Sequence, residues 1–455
     1  MYNTYYMKTE KSYRKGKRNT QKKICVNGTI NESKEGWKTL TVYGDPYERG
    51  FAHGYLLKNE LKRMTSTLAF LVQDEMNVSI TKYLRECRNV IKPIIKREFP
   101  EFYTELEGIR DGAIKRGLQI SLDMLIGWNS YLSMFSYFTG TSSINCSAFI
   151  ATGKATEKGD MVMAHNTHTS FADGQLHNII MNIIPSSGHP FVMQTSAGYI
   201  ASGTDWFICS TGIIGCETTI GDINYKPKFG VPYFCRIRQA MQYGETLDDY
   251  DTIMDTKNAG DYACSWLFGD INTNEIMLYE IGLNEKSVQR TKNGVFYGMN
   301  SAMDKKLREN ETNDEDHENI TTSAGGRNFR LNELLNKTYK GKINMDNAKK
   351  VIADHYDTYL RRKDMNGRVI CNHSEYDFRN CRYLPYDLFG CTDGKVVNTK
   401  MAKNMSFSGR FGSSCGRPFS IKKHIIDHPE MKKWRPHVKD FVSYDWVNLN
   451  KKEKL

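Results

Sequence analysis

Between Tyr47 and Phe138 apolar residues return with a helical period. Leu56, Leu57 and Leu61 fall on one face, and Val90, Ile91, Ile94 and Ile95 on another. Leu106, Ile109 and Ile114 run up to Gly117, a helix stop, and Ser121 stands where it can cap a helix over 122–135. From Cys146 to about Thr219 the period changes. Short β-rich runs alternate with turns such as Ser186-Ser187-Gly188 and read as a meander. Helices are predicted over 232–243 and 247–254, strands over 266–268, 276–279 and 295–297, and helices again over 328–335 and 345–352. The acidic stretch 309–318 reads as a surface loop. Strands, helices and strands in this order predict an α+β chain with two stacked antiparallel sheets between helices, an αββα sandwich. Four segments are expected: 1–35, a basic disordered arm; 36–145, a helical N-terminal segment; 146–355, the core; and 356–455, an irregular, aromatic-rich extension with a basic tail.

Composition changes this picture little. Among the 455 residues, 39% are hydrophobic and 12% aromatic, as in an ordinary globular protein, and no run approaches the roughly 18 apolar residues of a membrane span. The net charge of +11 invites a nucleic-acid reading, but its location argues against one. Lys8, Lys11, Arg14, Lys15, Lys17, Arg18, Lys22 and Lys23 face only Glu10 in 1–24, and Lys451, Lys452 and Lys454 face only Glu453 at the other end. The body between is nearly neutral. Such tails read as disordered and solvated, with weak contact to an anionic membrane surface as the rarer alternative and no specific nucleic-acid partner. The 11 cysteines can be read as a nucleophile plus up to five disulfides. Cys371, Cys381 and Cys391 are loosely spaced, and no C-x-x-C pair occurs. A zinc site made from these with His373 is therefore not expected.

The stretch Asn145-Cys146-Ser147-Ala148 lies where the helical pattern gives way to strands. A loop of small polar residues, Thr139-Gly140-Thr141-Ser142-Ser143, precedes it. Phe149-Ile150-Ala151, a turn at Glu157-Lys158-Gly159-Asp160 and a second strand over 161–166 follow. A cysteine at the first position of a hairpin, behind a flexible loop, suggests a nucleophile that becomes a chain terminus once the Asn145–Cys146 bond is cut. A thiol of pKa about 8.5 and an α-amine of about 7.7–8.0 can exchange a proton at neutral pH. The hairpin would return His165 and Asn166 towards the thiol.

These residues resemble the N-terminal-nucleophile hydrolases, and within them the group joining isopenicillin N acyltransferase-like and phospholipase B-like proteins. Gly44-Asp45-Pro46-Tyr47-Glu48-Arg49-Gly50, followed by His53-Gly54, resembles the group's propeptide signature. Ala164-His165-Asn166-Thr167 resembles the second strand of the phospholipase B-like branch. The runs Gly198-Tyr199-Ile200, Ser202-Gly203-Thr204-Asp205 and Glu217-Thr218-Thr219-Ile220 are similar to the family's middle strands. Related bile-salt hydrolases and penicillin V acylases carry Arg at the position of His165 and Asp at that of His168. This chain has neither, which favours the phospholipase B-like branch.

The resemblance implies autocatalytic activation, a lipid or other small acyl substrate, no cofactor and no metal. The N-terminal fragment is expected to remain a partner after the cut. Asn300, in Gly298-Met299-Asn300-Ser301, falls where the family places an asparagine that polarises the substrate carbonyl, a role suited to an oxyanion. Arg327 resembles a family arginine beside the site, with Arg330 as the alternative. His168, Glu217 and Thr218 are candidates for the substrate pocket. The start, Met1 to Lys8, lacks the apolar core of a signal peptide, unlike the typically secretory or lysosomal phospholipase B-like proteins, and the compartment stays open.

Two alternatives accompany this reading: an acyltransferase that passes the acyl group to an amine, and a non-catalytic protein binding lipid or anionic surfaces on the same scaffold. A competing motif, Gly412-Ser413-Ser414-Cys415-Gly416 with Asp427 and His437 downstream, has the spacing of a nucleophile elbow. No βαβ alternation precedes it, and Pro418 disfavours the helix that should follow.

Overall fold

The computed structural model describes residues 26–141, 145–228, 230–379, 384–442 and 444–450. The charged residues of both tails, Cys25 and Cys381 lie outside them. Strands β1 (Gly28–Glu32) and β2 (Lys38–Gly44) open the chain. Gly44, at φ +97°, then turns it into α1 (Pro46–Leu56). Pro46 pre-sets the first helical turn, and the Glu48 carboxylate accepts the Asp45 N–H at 3.1 Å. The Gly44-to-Gly50 run is thus a helix start.

Helices α2 (Lys58–Met76), α3 (Ile80–Glu86), α4 (Lys92–Glu98), α5 (Pro100–Lys115), α6 (Leu122–Asn129) and α7 (Tyr131–Thr139) follow. Ser121 caps α6, its hydroxyl accepting the Met124 N–H at 3.1 Å. Gly50 and Gly54 of α1 lie against Gly108 and Gly112 of α5. A Cβ added at Gly54 would fall 1.9 Å from the Ile109 carbonyl oxygen, so only glycine permits this approach of two backbones.

After β3 (Asn145–Gly153), β4 (Gly159–Ser170) and the short α8 (Phe171–Gly174) come β5 (Ile179–Pro185), β6 (Phe191–Thr195), β7 (Trp206–Cys209) and β8 (Ile213–Thr219). Helices α9 (Tyr233–Tyr243) and α10 (Leu247–Asp255) precede β9 (Cys264–Asp270), β10 (Glu275–Ile281), β11 (Lys286–Thr291) and β12 (Gly294–Gly298). Next are α11 (Lys305–Glu311), α12 (Ser323–Glu333), α13 (Met345–Ile352) and a small ribbon of β13 (Tyr356–Asp357) with β14 (Arg362–Lys363). The chain closes with β15 (Phe389–Cys391), β16 (Asp393–Asn398), α14 (Thr399–Ala402), β17 (Phe407–Phe411), α15 (Ile421–Asp427) and β18 (Val447–Leu449).

The result is an α+β chain with two large sheets. One has the order β1-β2-β5-β6-β7-β8-β9-β10-β11. The other runs β12-β3-β4-β16-β17-β18, with β15 beside β4. Successive strand residues enter different cores. Ile180, Val192, Ile208, Ile214, Leu267 and Leu278 of the first sheet share one apolar cluster with Ile150, Met161, Met163 and Val397 of the second. Their neighbours Met181, Met193, Phe207, Trp266 and Tyr279 join the helices α1 to α10. Phe149, Ala151, Val162 and Val396 pack with residues of α12 and α13. Strands buried on both faces read as continuous apolar runs, as in the Trp-Leu-Phe of β9.

Five expectations are corrected. Residues 28–32, assigned to the arm, form β1, and 38–44, assigned to the helical segment, form β2; backbone pairing recruits a short exposed run that has no strong apolar pattern. The pairing of β2 with β5 is parallel, so the sheets are not purely antiparallel. The extension over 356–455 supplies four strands to the second sheet. Residues 305–311 are helical, and buried Glu311 accepts the Leu283 and Asn284 N–H groups at 2.7 Å each, so 309–318 is not simply a surface loop. The described cysteines, Cys146 included, are all free thiols rather than disulfides.

Candidate functional site

Register decides which expected residues meet Cys146. In the β3–β4 pair Cys146 lies opposite Thr167, Ser147 opposite Asn166, Ala148 opposite His165 and Asn145 opposite His168. Side chains alternate across a sheet, so Cys146, His165 and Thr167 share one face, and Ser147, Asn166 and His168 the other. The hairpin continues to Ser170.

Backbone pairing of β3 with β12 ends at Ala148–Gly298. Beyond that point the Asn300 side chain takes over the acceptor role. Its Oδ1 accepts the Cys146 N–H at 2.9 Å, and its Nδ2 donates to the Thr219 carbonyl at 3.0 Å. Asn300 has φ +78°, a left-handed conformation that asparagine tolerates better than most side chains. Oriented so, it is an acceptor at nitrogen, and differs from the oxyanion donor expected from sequence. The reason is the ladder end, which leaves the Cys146 N–H in need of an oxygen.

Arg327 of α12 holds the other side of the same residue. Its Nη1 donates to the Cys146 carbonyl at 2.6 Å and to Ser147 Oγ at 3.1 Å. Arg330 turns away, pairing with Asp354 and Glu333. Asn166 is a clasp on the opposite face. Its Oδ1 accepts the Ser147 N–H at 3.2 Å, and its Nδ2 donates to the carbonyls of Ile352 at 2.8 Å and Ile370 at 3.0 Å. His168 Nε2 meets the Ile370 carbonyl at 3.0 Å.

Cys146 has no exposed surface. Burial, followed by the carboxyl groups of Glu217 and Asp205, pushes its thiol well above the ordinary range, while the His168 backbone N–H acts the other way. Burial also holds His165 well below the usual imidazole value, hence neutral, with Nε2 bound to the Glu217 carbonyl at 2.9 Å. The Glu217 carboxyl accepts from Tyr262 OH at 3.2 Å, and Asp205 accepts from Tyr233 OH at 2.5 Å. Burial raises both acids, Asp205 to about 6 and Glu217 well above its usual value. A proton kept on Glu217 and donated to Asp205 satisfies this buried pair.

A pocket of about 250 Å³ opens beside these groups. Asn300 and Arg327 line it together with Ser323 and the carboxylates of Asp222, Asp314, Asp316, Asp377 and Asp387. Cys146, His165, Asn166, His168, Glu217 and Thr218 are buried behind that lining. The structure therefore gathers the expected residues around Cys146, but Glu217, Thr218 and His168 are not wall residues of this pocket. The side chain of Asn145 lies outside the described residues.

Sequence reasoning did not single out Asp205, quoted only within a resembling run, and missed Lys395. Lys395 of β16, wholly buried, donates to Thr167 Oγ1 at 2.9 Å and pairs with Asp393 at 3.0 Å. A lysine and an aspartate two residues apart in an apolar run were the available signal, because buried charges come in pairs.

No family model matches the chain. Among curated proteins it is 26% identical over 243 residues to an uncharacterized protein of Archaeoglobus fulgidus, covering 49% of this chain and 39% of the relative. It is 24% identical over 241 residues to protein dcd1A of Dictyostelium discoideum, covering 46% of this chain and 51% of that protein. The matched region thus spans about two fifths and about half of the length of these relatives. Among solved structures, a mutant conjugated bile acid hydrolase from Clostridium perfringens aligns with a TM-score of 0.33 at 7% identity, covering 58% of this chain and 89% of that one.

Proposed function

We propose that this chain cuts itself between Asn145 and Cys146 and then acts as a cysteine hydrolase of the N-terminal-nucleophile type on an amide or carboxylic ester of an acyl compound. The 2.9 Å hydrogen bond from Cys146 N to Asn300 Oδ1 carries the reading. In this mechanism Sγ adds to the Asn145 carbonyl carbon, the C–N bond breaks, and the thiol proton passes to the departing nitrogen. Water then hydrolyses the thioester. The amine so released is the nitrogen that Asn300 already holds, and Arg327 restrains the adjoining carbonyl. An amine of ordinary pKa about 7.7–8.0 can then accept the proton of the attacking thiol. Burial makes His165 a weaker base, and one of its nitrogens is committed to a backbone carbonyl, so it suits that role less well. The alternation of strand residues between a shared inter-sheet core and helix-covered faces supports an αββα sandwich.

The substrate is a lipid or other small acyl compound in this proposal, with water accepting the acyl group, or an amine in the acyltransferase alternative. Five aspartates against one arginine in the described pocket lining favour hydroxyl- or amine-bearing groups near the scissile bond over phosphate.

A second reading, a non-catalytic binder of anionic surfaces through its basic tails, is favoured by the full burial of Cys146 in the intact chain. Intact-mass measurement of the purified protein separates the two. The expected outcome is two fragments, the second beginning at Cys146, with Cys146→Ala remaining whole. A cut that persists in Cys146→Ala would belong to an external protease. An uncut wild-type chain that binds anionic vesicles would favour the binder.

A further inference from the structure

Behind the Cys146 site, three segments distant in sequence bring two imidazoles and two thiols together. They are His355 after α13, Cys371 and His373 in the loop before residues 374–376, and Cys415 in the turn after β17. One ligand atom from each lies within 4.8 Å of all the others. We propose that His355, Cys371, His373 and Cys415 form a closed, tetrahedral Cys₂His₂ zinc site that pins the 355–415 region against the back of the Cys146 hairpin.

The spacing suits zinc. A tetrahedron with metal–sulfur bonds of about 2.3 Å and metal–nitrogen bonds of about 2.0 Å has edges of about 3.3–3.8 Å. His373 Nε2 lies 3.6 Å from Cys371 Sγ and 3.5 Å from Cys415 Sγ. His355 Nε2 is buried and has no hydrogen-bond partner among the described residues, a cost that a metal bond removes. The surroundings are those of ligands. His373 Nδ1 lies 2.8 Å from the Glu375 carboxylate, the outer contact that fixes the ring and leaves Nε2 free to bind metal. Ser414 Oγ lies 3.2 Å from Cys371 Sγ, and the Arg417 N–H donates to Cys415 Sγ at 3.4 Å. Two thiolates neutralise one divalent ion, so the whole assembly is neutral and burying it costs little. With four protein ligands no position remains for substrate, which makes the site structural.

The cluster also reaches the hairpin. Ser414 Oγ donates to the Ile352 carbonyl at 2.6 Å and lies 3.4 Å from Asn166 Nδ2, and Asn166 also grips Ile370, next to Cys371. A metal linking residues on both sides of Asn166 therefore holds the carbonyls that orient it, in a stretch with little regular secondary structure of its own. The proposal departs from the expectation of no metal. The missing signal was sequence spacing, because the ligands come from three separated loops and never form a C-x-x-C pair. The inference stands apart from the hydrolase reading.

The test uses the full chain, purified without chelator, incubated with excess zinc chloride and desalted. The expected result is one zinc per chain, released into a chelating dye when an organic mercurial titrates the thiols. Exchange with cobalt(II) should give thiolate-to-metal charge-transfer absorption together with tetrahedral d–d bands. Cys415→Ser and His355→Gln should each drop retained zinc below about a tenth of an equivalent, whereas Cys209→Ser, remote from the cluster, should keep it. Wild-type protein that retains less than about a tenth of an equivalent, or that shows a Cys371–Cys415 disulfide by non-reducing peptide mapping, would overturn the proposal. So would cobalt spectra lacking charge transfer from thiolate. These wild-type measurements decide the matter even if the variants fail to fold.

Discussion

Arg327 Nη1 donates to the carbonyl oxygen of Cys146 at 2.6 Å, across 181 residues of chain. Both groups are buried, and the same nitrogen reaches Ser147 Oγ, so α12 is tied to the start of β3 by a charged donor. Arg327→Met leaves the carbonyl and hydroxyl without that donor. A lost hydrogen bond to a charged group, about 1.5–3 kcal/mol, should slow the cut at Cys146 by about 10–100-fold. Arg327→Lys, a point donor without the fork, should fall between. Half-times of fragment appearance by mass spectrometry check this, and an unchanged half-time in Arg327→Met would remove Arg327 from the site.

The acceptor orientation of Asn300 makes a prediction that an oxyanion role does not. An oxygen facing the α-amine favours its charged form and raises its pKa. Asn300→Ala in the mature protein should therefore shift the rising limb of kcat/KM against pH to lower pH. If Asn300 instead donates to the oxyanion, kcat should fall by about 10²–10³ with the limb unmoved. Full pH–rate profiles of both proteins discriminate the two roles.

Glu217 should make folding stability pH-dependent. Burial and then Asp205 raise its folded pKa. The stability it confers is thus complete below the ordinary glutamate value of about 4.3 and is lost as pH rises through the folded value. Glu217→Gln stays neutral, can still donate towards Asp205 and can accept from Tyr262. The variant should match wild type near pH 4 and become progressively more stable above it, with at most the slope of one proton. Urea midpoints from pH 4 to 9 test this; parallel curves would mean that Glu217 is ionised in the fold.

The segment before the cut should stay bound after it. Strand β2 pairs with β5 along Lys38–Ile179 to Gly44–Pro185, and Glu105 accepts from Arg49 at 2.8 Å and Arg238 at 3.0 Å. Both fragments should co-elute in native size-exclusion chromatography and part only in denaturant. Glu105→Gln leaves two buried guanidinium groups short of their partner and should cost about 3–5 kcal/mol. Separation of wild-type fragments without denaturant would contradict the packing.

Much of the local architecture was legible along the chain. The helical period between 47 and 138, the cap at Ser121, the stop at Gly117 and the change to β-rich runs at Cys146 all depend on neighbours a few residues apart, which a linear reading reports. The singular setting of Cys146, between a small-residue loop and an apolar strand, was visible for the same reason. Other features were decided only by closure of the chain. The β3–β4 register put His165 on the Cys146 face and sent Asn166 and His168 to the other. The end of the β12 ladder made Asn300 an acceptor, and partner strands recruited the weakly patterned 28–32 and the strands of 389–449. Lys395 met Thr167, and His355 met Cys371, His373 and Cys415, over separations that carry no periodic trace. Propensity and periodicity follow from steric and hydrophobic preferences within a turn or a pleat. A site assembled from residues as many as 228 positions apart depends on which surfaces finally pack, and that is a property of the folded chain.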